Sequence, residues 1–360
     1  AKIIGVYAYR LTQKELEELG KTSPDLVLLA GGTDGGERET IISNAIGLAS
    51  LRDLRAPIIV AGNKAASDEV SAALASGGKE HVITDNVMPE IGILAVDKVR
   101  IIIRELFISR LIEAKGLKNA VKFIDEILMP TPTAVLGAAK LLAEGTDGEQ
   151  GLEELVILDI GGATTDVHSI AKGDPTEPGL VKKGLPEPYV KRTVEGDLGM
   201  RYNASTIVQV AGEAFFKESM SRVGLDLHHA VNRLAYNPES LPESEADEIL
   251  DMELARAATR FAMERHAGRI DTTYGPSGPV HIQYGKDLRG VKTVIGAGGP
   301  LIFGAAPDVI IRETLFSEDS PFSLRPQNPT FYLDEKYLLY AVGLLSEKDP
   351  ARALKLGKKY

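Results

Sequence analysis

The chain has 360 residues, 44% hydrophobic and 26% charged, with no cysteine and a formal net charge of −10. That length admits two domains or one large one, each with a sizeable core. The lack of cysteine excludes disulfides, thiolate metal sites and cysteine nucleophiles and fits a cytoplasmic protein, the acidic balance argues against non-specific nucleic-acid binding, and neither a membrane-spanning run nor a signal peptide is visible.

The chain starts at Ala1 without Met, and Lys2-Ile-Ile-Gly-Val-Tyr7 reads as a strand already in progress, so a fragment or trimmed chain is expected. Strands and helices then alternate. Asp25–Ala30, Pro57–Ala61 and His81–Thr84 are strand candidates, with helices over Glu37–Ser50 and about Ala65–Ala75 between them. Strands separated in this way imply a parallel sheet. The loop Gly31-Gly-Thr-Asp-Gly-Gly36 lies at a strand end, where open α/β sheets bind ligands. It lacks the Gly-Lys-Ser/Thr of a P-loop. It reads first as a tight strand-to-helix turn, with contact to a phosphate, a cofactor tail or a partner as the alternative. Lys64 in the next such loop reads as solvated.

Asp97–Lys115 reads as a helix whose apolar face carries Val99, Ile102, Ile103, Leu106, Phe107 and Leu111, interrupted by Arg110, with Gly116 as its C-cap. A second apolar helix is expected over Ala134–Glu144, capped by Thr133.

The stretch Leu155–Ile170 is the most informative. An apolar run, Leu155–Leu158, suits a buried strand. Asp159 follows, between Leu158 and Ile160, and a carboxylate there is costly to bury without a partner such as a cation or its water. Gly161 and Gly162 permit a turn close to a ligand, and Thr164 and Thr165 add hydroxyls. Val167–Ile170 alternates as a returning strand does. A glycine turn makes an anion-binding concavity, and an acid beside it can orient Mg²⁺ or its water shell. The expected ligand is therefore a nucleotide polyphosphate, with a plain Gly-Gly hairpin as the alternative.

Beyond the hairpin, Gly173–Pro188 reads as an exposed excursion. In Glu195-Gly-Asp-Leu-Gly199, two acids flank a glycine, and Asp197 becomes a candidate for contact with a cation or ribose. Residues 213–270 read as mostly helical. Ser244-Glu-Ala-Asp247 resembles a capping box that opens a helix to about His266. His228 and His229 are adjacent and do not suit one metal. Val291–Pro300 reads as a short strand that ends in Gly296-Ala-Gly-Gly299, with Pro300 opening a helix that Gly304 can break. Gly296, Gly298 and Gly299 would let a purine or ribose lie against the backbone. A last apolar helix is expected over Glu335–Ser346, followed by a solvated tail carrying Lys355, Lys358 and Lys359.

Asp159-Ile-Gly-Gly-Ala-Thr-Thr-Asp166 resembles the second phosphate motif of the actin, sugar-kinase and heat-shock-chaperone ATPase superfamily. Within it the sequence most resembles the accessory proteins of glutamate mutase, the MutL/GlmL type unrelated to mismatch repair. The matching stretches are Leu28–Gly36, Val60–Ala66, Asn86–Glu90, Ile127–Pro132 and Glu195–Met200, which span nearly the whole chain. The resemblance implies an actin-like ATPase (ribonuclease H-like) module over 127–360. Its connecting helices would lie near 134–144 and 335–346, behind an N-terminal α/β segment over 1–126 that contains a parallel sheet. It also implies ATP or ADP with Mg²⁺, Asp159 orienting a metal-bound water, and an adenosylcobalamin-dependent mutase as partner. In the same terms, Gly161, Gly162, Thr164 and Thr165 hold phosphates, and Gly296, Gly298 and Gly299 lie under adenosine. No Asp-x-Gly-Ser/Thr motif precedes Asp159, and Thr131 stands where chaperone relatives carry a Glu, so weak ATPase activity at most is expected. A small-molecule kinase, an ATP-dependent amidohydrolase of the hydantoinase/oxoprolinase type, a filament-forming actin relative and a binding module with a degenerate nucleotide site remain open as alternatives.

Overall fold

The computed structural model describes residues 3–114, 129–275 and 278–360. The chain divides into two compact units, Lys2–Ile127 and Leu128–Tyr360.

In the first unit, α1 (Gln13–Lys21) opens with a capping box. There Thr12 and Glu15 each satisfy the other's backbone N–H. Next come β1 (Val27–Leu29), α2 (Glu39–Ser50), β2 (Ile58–Val60), α3 (Ser67–Ser76), β3 (His81–Ile83) and α4 (Asp97–Ala114). The three strands are parallel, in the order β1-β2-β3. Alternation along β2 explains the layering. Ile58 and Val60 pack with Ile41 and Leu48 of α2 and with Val70 and Leu74 of α3. Ile59 faces the other way, toward Val99, Ile102, Ile103 and Leu106 of α4. A strand covered on both faces reads as a continuous apolar run, which is what Ile58-Ile59-Val60 is. The expected opening strand does not form. Residues 3–7 are irregular, and Ile3 and Val6 are exposed. Gly116 and the side chains of Phe107, Arg110 and Leu111 lie outside the described residues.

The second unit begins with α5 (Thr131–Glu144), the short hairpin of β4 (Gly145–Thr146) and β5 (Glu149–Gln150), β6 (Leu155–Ile160), β7 (Thr165–Ile170), β8 (Val181–Lys183) and β9 (Val190–Glu195). Helices α6 (Ala204–Ala211), α7 (Glu213–Val223), α8 (Leu227–Tyr236) and α9 (Glu245–His266) follow. The remainder is β10 (Arg269–Gly275), β11 (Gly278–Tyr284), β12 (Thr293–Gly298), α10 (Gly299–Phe303), α11 (Pro307–Ile311), β13 (Thr330–Leu333), α12 (Leu339–Ser346) and α13 (Pro350–Lys359). The main sheet has the order β13-β12-β6-β7-β9. Strands β6, β7 and β9 form an antiparallel meander, while β12 and β13 run parallel to β6. Successive residues of β6 serve opposite layers. Val156, Leu158 and Ile160 pack toward the α6–α9 side. Leu155 and Ile157 pack toward α5, α12 and α13. Helices α5 and α12 cross so closely that a Cβ on Gly343 would run into the Ala134 carbonyl. The mixed α/β class read from the sequence is the class observed.

Three helix boundaries differ from expectation. Helix α5 starts at Thr131 rather than Ala134, so Thr133 is inside it and caps nothing. Pro132 sits in its first turn, where a missing N–H is tolerated. Helix α12 starts at Leu339 rather than Glu335. Asp334 accepts from the N–H groups of Leu338 and Leu339 at 2.7 and 2.8 Å, and Tyr337 takes a left-handed φ of 53° that helix cannot contain. The lysine-bearing end is helix α13, with Ala353 and Leu354 buried, not a solvated tail. As expected, α9 begins at Ser244, whose hydroxyl accepts from Asp247 N–H. His228 and His229 are exposed on α8. Among the described residues, no helix is long and apolar enough to cross a membrane.

Candidate functional site

Asp159 is the second-to-last residue of the central strand β6, where the parity of Leu155 and Ile157 carries it onto the α5/α12 face. Its register partners are Asp166 on β7 and Ala297 on β12. Two carboxylates thus oppose each other across the mouth of the hairpin. Arg192 of β9 resolves half of the conflict. Its Nε and Nη2 donate to Asp166 Oδ1 at 2.8 and 2.6 Å. Thr164 Oγ1 donates to the other Asp166 oxygen at 2.9 Å. Among the described residues, Asp159 has no such cation. Burial, then Asp166 and Asp334, push its carboxyl up to about 6, opposed by the Tyr337 hydroxyl and by Arg192. An acid held this way is made more favourable by an added cation.

The turn above these acids has an uneven hydrogen-bond inventory. Its carbonyls are committed to the segment that follows β9. Gly161 O accepts from Met200 N–H at 3.1 Å, and Gly162 O accepts from Arg201 and Tyr202 N–H at 2.8 and 3.1 Å. Ala163 O accepts from Asn203 Nδ2 at 3.2 Å, and Thr164 O closes the turn by accepting from Gly161 N–H at 2.9 Å. Gly199 lies against this turn, because a Cβ there would collide with the Ala163 backbone. The stem of Arg201 lies beside Gly162, and its guanidinium grips Asp251 of α9 with two bonds of 2.9 and 2.6 Å. Among the described residues, the N–H groups of Gly162, Ala163 and Thr164 have no protein acceptor. Three successive donors on an exposed glycine turn suit an anion.

The structure distributes the other candidates unevenly. Register places Gly298 opposite Ile160, so the Gly296–Gly299 motif ends beside the glycine turn although the two are far apart in sequence. Gly298 has φ 100° and presses on the Ile160 backbone, which no side chain would allow, and Gly299 is exposed with open space around it. Gly296 is interior and faces Leu301, Ile311 and Leu333, so it serves packing. Thr165 is fully buried, and its hydroxyl donates to Leu198 O at 2.8 Å rather than toward the turn. Asp197 is gripped by Arg265 of α9, with bonds of 2.7 and 3.0 Å, and Glu195 shares the same arginine at 2.7 Å. Those hydrogen bonds push the Arg265 guanidinium above its usual range. The acidic turn is therefore a clamp between β9 and α9.

A family profile described as MutL protein matches residues 1–360. Protein MutL of Clostridium tetanomorphum is 46% identical over 360 residues, covering 100% of this chain and 78% of that protein. The chain belongs to the MutL family. The resemblance carried by the five motif stretches is thus shown at the level of family.

Sequence reasoning gave no role to four residues that this MutL-family fold brings to Asp159. Asp166 was legible, since a hairpin closing at Gly161–Thr164 must oppose it to Asp159. Arg192 needed the register of a third strand. Asp334 and Tyr337 come from the turn before α12 and carried no local signal beyond an acid near a helix start. Among the described residues, no group of three or more His, Cys, Asp or Glu side chains is arranged to hold a metal ion. A cation here would be held through Asp159, water and the ligand's own oxygens.

Proposed function

We propose that residues 128–360 form an actin-like ATPase module that binds Mg²⁺–ATP or Mg²⁺–ADP at the Gly161–Thr164 turn. The whole chain then serves as an ATP-dependent accessory and reactivating protein for an adenosylcobalamin-dependent mutase such as glutamate mutase. One observation carries the nucleotide reading: among the described residues, three successive backbone donors without protein acceptors, at Gly162, Ala163 and Thr164, follow the strand end that carries Asp159, a buried acid without an ion pair. Donors of that kind take phosphate oxygens, and the acid takes the hydrated metal that accompanies them. The meander-and-crossover sheet supports the reading, because it sets the end of β12 beside the glycine turn, where the close approach of Gly298 to Ile160 leaves Gly299 exposed to face adenosine.

In this assignment Asp159 orients a water of the hydrated Mg²⁺, which supplies charge neutralisation for the polyphosphate. Thr164 keeps its hydroxyl near the phosphates while holding Asp166. Thr165 and Gly296 support the site from inside, and Asp197 acts through its clamp on Arg265. The mutase role rests on family membership. It requires nucleotide states that differ in affinity for the mutase, which then changes nucleotide affinity by the same factor.

Calorimetric titration with Mg²⁺–ADP and Mg²⁺–ATP, wild type beside Asp159→Asn, tests the site. The expected result is binding that weakens on the order of tenfold or more in the variant, the scale of a lost charge-assisted contact. Equal affinities would remove the nucleotide from this turn. Repeating the titration with a cobalamin-dependent glutamate mutase present is expected to shift the ATP and ADP affinities unequally, and identical shifts would leave the accessory role without a nucleotide switch.

A further inference from the structure

The first unit carries a glycine connection that the proposed function does not use. Gly31 and Gly32 leave the carboxyl end of β1, the edge at which open parallel sheets take ligands. Among the described residues, the N–H groups of Gly31, Gly32 and Thr33 have no protein acceptor, and all three residues are half-buried. Gly32 has φ 70°, and a Cβ there would run into Glu37 O, so this position requires glycine. A left-handed residue within such a turn brings successive N–H groups to one side, as anion-binding nests do.

The loop is braced before any ligand arrives. Asn63 accepts from Gly35 N–H at 3.0 Å and donates to Gly36 O and Glu37 O, and Asn86 donates to Gly32 O at 2.9 Å. A cradle already held in shape binds without a large ordering cost. The connection after β2 lies directly against it, since a Cβ on Gly62 would meet the backbone N and O of Gly31. That contact brings Lys64 to the same edge, with its ammonium exposed and 3.8 Å from Asp34 Oδ2. Asp34 Oδ1 accepts from Lys64 N–H and from Asn86 Nδ2, both at 3.0 Å. The acid of the loop is thus spent on bracing, and an exposed ammonium stands beside three open donors.

We propose that Gly31–Thr33 and Lys64 form a second anion site, which takes a metal-free phosphate group, free or at the end of a phosphate monoester. The site lies wholly within the first unit and does not depend on the nucleotide reading. Its counter-charge comes from Lys64 rather than from a metal ion held at an acid.

The full chain, isotope-labelled at glycine and threonine, is titrated without Mg²⁺ with inorganic phosphate and, separately, with methyl phosphate. Sodium chloride at matched ionic strength is the control. The amide resonances of Gly31, Gly32 and Thr33 are followed in wild type, Lys64→Gln and Asp159→Asn. Phosphate is expected to shift them saturably and chloride to leave them in place. Affinity is expected to fall about threefold in Lys64→Gln, the scale of one exposed charge contact, and to hold in Asp159→Asn. Saturation by both probes would assign the site to phosphate monoesters, and saturation by inorganic phosphate alone to the free ion. Amides that stay still, or that move equally with chloride, would overturn the site. Unchanged phosphate affinity in Lys64→Gln would overturn the part given to Lys64. The same spectra report Gly162 and Thr164, so a failure at either site is seen apart from the other.

Discussion

The loop Gly31–Gly36 follows β1, the turn Gly161–Thr164 follows β6, and each is a glycine-rich connection leaving a strand of a central sheet. In the first loop the protein satisfies its own backbone over the second half, while among the described residues the N–H groups of Gly31, Gly32 and Thr33 have no protein acceptor. Asp34 N–H donates to Pro89 O, Gly36 N–H to Thr33 O and Gly35 N–H to Asn63 Oδ1, at 2.9–3.0 Å. The buried Asn63 amide donates in return to Gly36 O and Glu37 O, and Asn86 donates to Gly32 O. In the second turn the carbonyls are committed and, among the described residues, the donors of Gly162, Ala163 and Thr164 are not. The two connections differ in where their paired donors lie: the first loop ties down its second half through Asn63, whereas the second turn ties down its carbonyls, and a donor already paired gains little from an anion.

The largest expected effect that tests this contrast is in the first loop. Asn63→Ala removes four hydrogen bonds from a nearly fully buried side chain, those to Gly35, Ala65, Gly36 and Glu37. At about 1 kcal/mol each, denaturant unfolding is expected to lose roughly 3–4 kcal/mol of stability in the first unit. Mg²⁺–ADP affinity is expected to stay at the wild-type value. A loss of affinity matching that of Asp159→Asn would show that the first loop also contributes to the ligand site, and the contrast would break.

The acids of the two connections should respond to pH with opposite signs. Asp34 accepts from Lys64 N–H and from Asn86 Nδ2, and these bonds hold its carboxyl below the usual range. Its stabilisation is complete above the unfolded-state value and is lost as pH falls through the folded one, so Asp34→Asn destabilises at neutral pH. Asp159 is pushed up to about 6. Between the unfolded value, near 4, and about 6 the folded state binds the extra proton, so this acid weakens the free protein as pH rises through that window. Asp159→Asn is therefore expected to raise unfolding stability at pH 7 by about 2 kcal/mol, with the gain shrinking toward pH 4. A gain at pH 7 together with lost nucleotide affinity would mark Asp159 as a residue kept for binding. A stability loss at pH 7 would mean that Asp159 has a structural cation partner inside the fold.

Much of the scaffold was legible because burial imposes short periods. Ile58–Val60 and Leu155–Leu158 are covered on both faces and read as apolar runs, and the order of strands and helices in the first unit follows from their spacing. The acid at Asp159 was legible because an ionised group between Leu158 and Ile160 contradicts its surroundings. Less legible was whatever depends on pairing between distant segments. Arg192 reaches Asp166 through the β7–β9 register, and Asp334 and Tyr337 arrive from the turn before α12. The apolar period over Glu335–Ser346 suggested a longer helix, but capping by Asp334 and the left-handed Tyr337 delay its start to Leu339. The glycines of 296–299 looked equivalent in sequence, yet only their packing shows that Gly296 faces the core and Gly299 the outside.

Thr164 and Thr165 give the smallest and sharpest version of the contrast, since adjacent hydroxyls end on opposite sides of one strand. Strand period puts Thr165 with the buried Val167 on the α9 side, and its hydroxyl donates to Leu198 O. Thr164 precedes the strand and bonds Asp166 at the mouth of the hairpin. Thr165→Val keeps the shape and removes the bond to Leu198. It is expected to cost about 1 kcal/mol of stability, the usual net worth of one buried hydrogen bond. Calorimetry should find Mg²⁺–ADP affinity within about twofold of wild type, because a hydroxyl spent on the interior has nothing left for a phosphate. If affinity instead falls tenfold at unchanged stability, the bond to Leu198 must open on binding, and Thr165 joins the groups that turn outward when the nucleotide arrives.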